Sequence, residues 1–189
     1  MIPNSVKPLW SGVEKSGKTA FICALLQLAE KKGLKGAGFK PFDKGLLKRN
    51  ARDELHDGER ICRYMVGEPS ETLVAPYYAN EDYPIEMSFR RDGIRLNWTV
   101  IEQRIAVLEE LYDKTFVETP SSLLAPLTES MMVCDWMKTL KAELIWLIDP
   151  VQAHFLPNLS EINLAKEHGI PFTVVFNNRS RIQDQDLLF

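Results

Sequence analysis

Gly12-Val13-Glu14-Lys15-Ser16-Gly17-Lys18-Thr19 fits the pattern G-x-x-x-x-G-K-[ST], and its reading decides the fold class. Glycines let a backbone curl until consecutive N–H groups converge on phosphate oxygens, a geometry that side chains obstruct. A helix opening directly behind the loop adds the partial positive charge of its N-terminus. Lys18 would then reach the β- and γ-phosphates, and the Thr19 hydroxyl would ligate Mg²⁺. From average residue frequencies, a chance match is expected on the order of once per hundred chains of this length. Context lowers that rate, because the motif stands between a first apolar strand and an apolar helix, where a phosphate loop belongs.

Working outward, residues 6–10 read as a strand weakened by Pro8. Residues 19–32 read as a helix apolar on most faces, expected to be largely buried, with Gly33 as its stop. Residues 34–40 give a second strand ended by Pro41, and 54–66 a helix closed by Gly67 and Pro69. The stretch 68–95 is rich in Pro, Tyr and charge and reads as an irregular excursion. Asn97 can cap a helix whose Trp98, Ile101, Ile105, Leu108 and Tyr112 draw one apolar stripe. Strands at 115–118, 143–149 and 172–176 follow, with a helix at 158–168 closed by Gly169 and Pro171. Strands alternating with helices, several apolar throughout, predict an α/β fold: a parallel sheet with helices on both faces, of the P-loop type. The length of 189 residues fits one nucleotide-binding domain spanning the whole chain.

With 45% apolar and 26% charged residues the chain is an ordinary globular one rather than disordered. Its net charge of −3 shows no basic excess, so no nucleic-acid partner is expected, and Arg90, Arg91 and Arg95 read as a solvated face. Cys23, Cys62 and Cys134 lie far apart without CxxC spacing, and His56, His154 and His168 lack metal-ligand spacing. That pattern argues against disulfides and zinc and fits a reducing cytoplasm. No apolar run is long enough to span a membrane, and residues 1–8 lack a leader's apolar core.

P-loop enzymes commonly hold Mg²⁺ with a carboxylate at the end of an apolar strand. Glu118 and Asp149 both stand at such ends, and Asp57 lies near the start of the second predicted helix. Pattern alone favours Asp149, whose strand is longer and more apolar, but composition and periodicity do not choose. Lys40 closes the second strand, on the sheet edge where ligands of parallel sheets bind, and a second cation beside Lys18 suits a transferring phosphoryl group.

Taken together, these residues resemble dethiobiotin synthetase. Residues 11–19 stand where that family has its phosphate loop, typically Gly-Thr-Asp-Thr-x-Val-Gly-Lys-Thr. Ala24-Leu25-Leu26-Gln27 and Gly38-Phe39-Lys40-Pro41 match the helix and strand that follow. His56-Asp57-Gly58 falls at the family's magnesium aspartate, and Val117-Glu118 at the glutamate of its Val-Glu-Gly-Ala-Gly-Gly segment. Ala125-Pro126-Leu127 continues that segment, Cys134-Asp135-Trp136 resembles its Ala-Asp-Trp, and Asn177 lies at the asparagine that contacts adenine.

The resemblance implies an ATP- and Mg²⁺-dependent cyclo-ligase, homodimeric and cytoplasmic, acting on a diamine and CO₂. It implies that Gly12, Val13, Glu14, Lys15, Ser16, Gly17, Lys18, Thr19 and Asn177 bind nucleotide, and that Lys18 and Lys40 are catalytic. It shifts the metal site from Asp149 to Thr19, Asp57 and Glu118, and it implies Lys40, Lys44 and Ser121 as substrate-binding. Departures cluster on the substrate side. Glu14 replaces a threonine near the transferring phosphate, where a carboxylate is expected to repel anions unless it points away. Thr119-Pro120-Ser121-Ser122 replaces Gly-Ala-Gly-Gly and is expected to resist positive φ. Lys44 replaces a serine, and Asp149-Pro150-Val151-Gln152-Ala153-His154 replaces a Lys-Leu-Gly-Cys-Ile-Asn-like stretch. A segment completing the adenine pocket is not expected after Asn177. These departures motivate a second reading, a nucleotide-binding regulatory module without ligase activity.

Overall fold

The strands Val6–Trp10 (β1), Gly36–Phe39 (β2), Lys114–Glu118 (β5), Leu144–Ile148 (β8) and Phe172–Phe176 (β9) form one parallel sheet in the order β2-β5-β1-β8-β9. These come from a computed structural model that describes residues 6–11, 14–47, 54–141, 143–148 and 155–177. Gly12, Val13, Asp149 and His154 lie outside the described residues. All four residues of β2 are buried although it is an edge strand, and successive side chains face opposite ways, so both faces are covered. The α/β reading of the sequence describes this architecture.

Pro8 sits in the central strand rather than at an edge. β1 pairs with β5 from Val6 to Leu9 but with β8 only at Leu9 and Trp10. The ladder on that side therefore starts just past the residue that has no N–H to give.

Lys18–Lys31 (α1) buries one face, with Ile22, Cys23, Leu26 and Ala29 turned inward, while Leu28 is 48% exposed. The largely buried helix expected from composition is thus half-exposed, because it covers one side of a sheet rather than lying between two layers. Gly36 and Gly38 let it come close: a Cβ on Gly38 would press into Ile61 and lie 3.0 Å from Ile22 Cγ2. Both isoleucines are fully buried and have no room to retreat. Gly38→Ala should therefore cost about 1–3 kcal/mol, the price of overpacking a filled core. Urea denaturation checks this, and a midpoint equal to wild type would show that the helix can ride outward.

Asp57–Cys62 (α2) is shorter than the helix read at 54–66. The excursion at 68–95 is more regular than expected: it holds Glu71–Val74 (α3), Tyr77–Ala79 (β4) and Ile85–Arg91 (α4). β4 pairs in parallel with Phe42–Lys44 (β3), a partner over thirty residues earlier that local pattern does not reveal. Trp98–Leu111 (α5) opens as expected, its Asn97 cap accepting the Thr99 N–H at 3.0 Å, and buries Ile101, Ile105 and Leu108. A hairpin of Pro126–Thr128 (β6) and Met131–Met132 (β7) leads into Val133–Leu140 (α6), and Phe155–Glu167 (α7) precedes β9.

Phe42 ties these pieces to the site. Its ring lies 5.4 Å from Trp136 on α6, 6.1 Å from Trp98 on α5 and 6.3 Å from Phe89 on α4. Such aromatic pairing adds to area burial and fixes the segment that carries Lys40, Asp43 and Lys44. Among the described residues, no helix is long and apolar enough to cross a membrane.

Candidate functional site

The carboxyl ends of the parallel strands open into one cleft of about 880 Å³. β1 delivers the phosphate loop, β2 delivers Lys40, β5 ends in Glu118 and β9 leads to Asn177. The order of the sheet brings this about: the chain leaves β1 for β2 on one side and later crosses to β8 on the other, a switch point where crevices form.

In the loop, Lys15 (φ 58°) and Gly17 (φ 90°) take the left-handed backbone that turns the chain sharply into α1. Gly17 caps α1 without a side-chain acceptor, and the first turn holds no acid. The first residues of the helix line the cleft with no acid of their own turn to cap its N–H groups, which suits an incoming phosphate. Asn177 Nδ2 donates to the Ser16 carbonyl at 3.0 Å, so β9 braces the loop from the side. This contact gives Asn177 a structural task that its sequence position did not reveal.

Lys18 is buried, and its ammonium donates to Ser121 Oγ at 2.9 Å. Burial pushes its pKa down from 10.5 to about 8, with Glu118 opposing that shift and Lys40 adding to it. Thr19 Oγ1 donates to Glu118 Oε2 at 2.8 Å. Lys40 donates to the other oxygen, Glu118 Oε1, at 2.8 Å and to Asp57 Oδ2 at 2.5 Å, with Asp43 Oδ1 at 3.7 Å. Burial alone would lower the Lys40 pKa, but Glu118, Asp43 and Asp57 together outweigh it and hold the ammonium well above the ordinary range. Thr19, Lys40, Asp57 and Glu118, chosen on the sequence, are thus brought into one connected group, and Lys18, bonded to Ser121, lines the same cleft.

Asp43 was missed. It is 2% exposed, three residues beyond Lys40, and nothing in its local sequence separates it from a loop acid. Its burial only follows once Phe42 is packed and β3 has paired. Glu14, expected to repel anions, is neutralised: Lys44 Nζ donates to its Oε1 at 2.7 Å. Ser122, expected to resist positive φ, adopts φ 72°. Glu161 on α7 holds it there, accepting from Ser122 Oγ at 2.5 Å and from the Leu123 N–H at 2.8 Å.

The donors around Lys40 suit a magnesium ion chemically. Thr19, Asp57 and Glu118 offer only oxygen, which Mg²⁺ prefers, and the two carboxylates already converge on a cation, the Lys40 ammonium. No histidine or cysteine stands among them, which argues against a softer metal.

Among solved structures, a GTPase in apo form from Pyrococcus abyssi superposes with a TM-score of 0.53 at 12% identity, covering 97% of this chain and 71% of that one. The kinase domain of the Escherichia coli tyrosine kinase ETK gives a TM-score of 0.52 at 10% identity, covering 95% and 71%. Both likenesses bear on the fold alone. In sequence, the chain is similar to the ATP-dependent dethiobiotin synthetase BioD 1 of Escherichia coli O157:H7, with 27% identity over 121 residues, 64% of this chain and 54% of that protein. The corresponding Salmonella typhi protein is 25% identical over 138 residues, 70% and 58% of the two chains. BioD of Baumannia cicadellinicola is 26% identical over 132 residues, 70% and 59%. The chain therefore spans a little over half the length of these curated relatives. A family model described as an AAA domain matches residues 11–187, and with its phosphate loop at the switch point of a parallel sheet the chain belongs to that family of P-loop proteins.

Proposed function

We propose that this chain is an ATP- and Mg²⁺-dependent ring-closing ligase that makes dethiobiotin from 7,8-diaminononanoate and CO₂, working as a cytoplasmic homodimer. The observation that carries the reading is the Lys40 ammonium held between Asp57 and Glu118, with Glu118 also accepting from Thr19 beside Lys18. Phosphoryl transfer relies on positioning and charge stabilisation more than on covalent chemistry, and this group supplies both.

One amine of the substrate adds to CO₂ and loses a proton, giving a carbamate. A carbamate oxygen then attacks the γ-phosphorus as the bond to the β-phosphate oxygen breaks, releasing ADP. The second amine attacks the carbamoyl carbon, phosphate leaves with the bonding electrons, and the amine proton is lost as the ring closes. Lys18 and the open N–H groups of α1 would hold the β- and γ-phosphates, with Gly12 to Thr19 wrapped around them and Asn177 near the base. Lys40 would stabilise negative charge on carbamate and transferring oxygens, and Lys44 and Ser121 would contact the substrate. Thr19, Asp57 and Glu118 would hold Mg²⁺, which supplies charge neutralisation on the phosphates when bound.

A second reading has its own support. Lys44 is already engaged by Glu14, Asp82 and the Tyr83 carbonyl, so the substrate side is occupied by the protein itself. A nucleotide-binding module without ligase activity would have no use for that side. Incubation with diaminononanoate, bicarbonate and MgATP separates the two. Dethiobiotin and stoichiometric ADP are expected, whereas bound ATP with no product would leave the module.

A further inference from the structure

Lys44, at the end of β3, has a side chain only 19% exposed, and its ammonium meets three acceptors. Glu14 Oε1 lies at 2.7 Å, the Tyr83 carbonyl at 2.9 Å and Asp82 Oδ1 at 3.3 Å. Three donors facing three acceptors leave the ammonium saturated by protein groups. The acceptors are not equally held. The Tyr83 carbonyl also accepts from Ser88 Oγ at 3.1 Å, and the Tyr83 N–H donates to the same fully buried hydroxyl at 3.1 Å, so that segment is fixed. Glu14 arrives instead from the phosphate loop on a side chain 58% exposed. An ion pair with so exposed a carboxylate gains little over hydration, so Glu14 is the acceptor that leaves most readily. Glu14, Lys44 and Asp82 all line the cleft that holds Lys18 and Lys40.

We propose that Glu14 is an internal competitor of the second substrate: its carboxylate occupies on Lys44 the place taken by an anionic CO₂⁻ group of that substrate. The pair straps the phosphate loop to the end of β3, and the strap opens when the anion arrives. The inference rests on the ligase reading for the identity of the second substrate. It accounts for two unlike residues at once, since a carboxylate beside a phosphate site is tolerable only with a cation to hold it away.

Steady-state kinetics with diaminononanoate, bicarbonate and MgATP read the diamine KM separately from kcat. Glu14→Gln should lower that KM about fivefold, the scale of one exposed ion pair. Lys44→Met should raise it, and Glu14→Gln added to Lys44→Met should gain nothing, because the competitor has lost its place. A KM that stays or rises in Glu14→Gln, or a gain that survives Lys44→Met, overturns the proposal. If the diamine is not turned over, the ligase reading fails while the competitor remains measurable. The Lys44 ammonium resonance of MgADP-loaded protein is then titrated with succinate and, separately, with bicarbonate plus the diamine. A shift at lower succinate concentration in Glu14→Gln than in wild type assigns the group to a substrate carboxylate. A shift at lower concentration in Glu14→Gln that needs bicarbonate assigns it to a carbamate. No shift, or equal shifts in both proteins, overturns it.

Discussion

Lys18→Met should bind ATP at least about a hundredfold more weakly than wild type and yet unfold at higher denaturant concentration. The first effect follows from losing a charge-assisted contact to phosphate in a cleft shielded from water. The second follows from the cost of the lysine itself. Burial lowers its pKa from 10.5 to about 8, so below pH 8 the folded protein carries a cation that the unfolded chain would hold more comfortably. At about 1.4 kcal/mol per unit of pKa, that cost is about 3 kcal/mol. Methionine keeps the buried stem and removes the charge, offset by the lost hydrogen bond to Ser121, for a net gain of about 1–3 kcal/mol.

The pH dependence separates this account from a general packing improvement. Between about pH 8 and 9 the unfolded state binds more protons than the folded one at Lys18, so the Lys18 contribution to stability rises with pH there. From about pH 8 upward, Cys23 and Cys62, whose thiols burial pushes up to about 11, act in the opposite sense as unfolding frees them to ionise. Lys40 adds nothing in this range, because a lysine held above its ordinary pKa stays charged in both states until about pH 10. From pH 7.5 to 9 wild-type stability should rise by about 1 kcal/mol relative to that of Lys18→Met, in which only the opposing thiol contribution remains. Nucleotide affinity should fall over the same window as the free protein loses the Lys18 proton. Calorimetric titration and urea melts across that range decide it; ATP affinity unchanged in the variant would mean that the loop does not hold phosphate.

What could be read from sequence and what could not divides by range of interaction. The loop at 12–19, the Asn97 cap and the stripe on α5 are local, and each is set by residues a turn or two apart. Lys18 and Thr19 are found from the loop motif and Lys40 from its strand end, whereas strand ends alone favoured Asp149, and Glu118 and Asp57 were chosen through the family resemblance. β4 was lost because its partner β3 is distant in the chain, and with it went the buried setting of Asp43. The pairing of Glu14 with Lys44 spans thirty residues, and Glu14, read alone, looked unfavourable beside a phosphate. Ser122 looked unable to take positive φ because the carboxylate that holds it, Glu161, arrives from a helix 39 residues on.

Lys40→Met should destabilise the protein by about 3–5 kcal/mol, the cost of leaving buried charge without its partner. Glu118, Asp57 and Asp43 all lie within 3.7 Å of its ammonium, and none is more than 12% exposed. Without Lys40 they lose the ammonium that they share. The deficit is therefore one of like charge left without its shared counter-ion. Asp57→Asn in the Lys40→Met background should restore part of the loss for the same reason, whereas in wild type it should only weaken the cluster. Magnesium gives the functional half of the test. If Thr19, Asp57 and Glu118 are the metal's donors, millimolar Mg²⁺ should raise the Lys40→Met melting temperature more than the wild-type one, because the ion replaces the missing charge. Equal shifts in the two proteins would place the metal elsewhere, and the Lys40 cluster would then be structural alone.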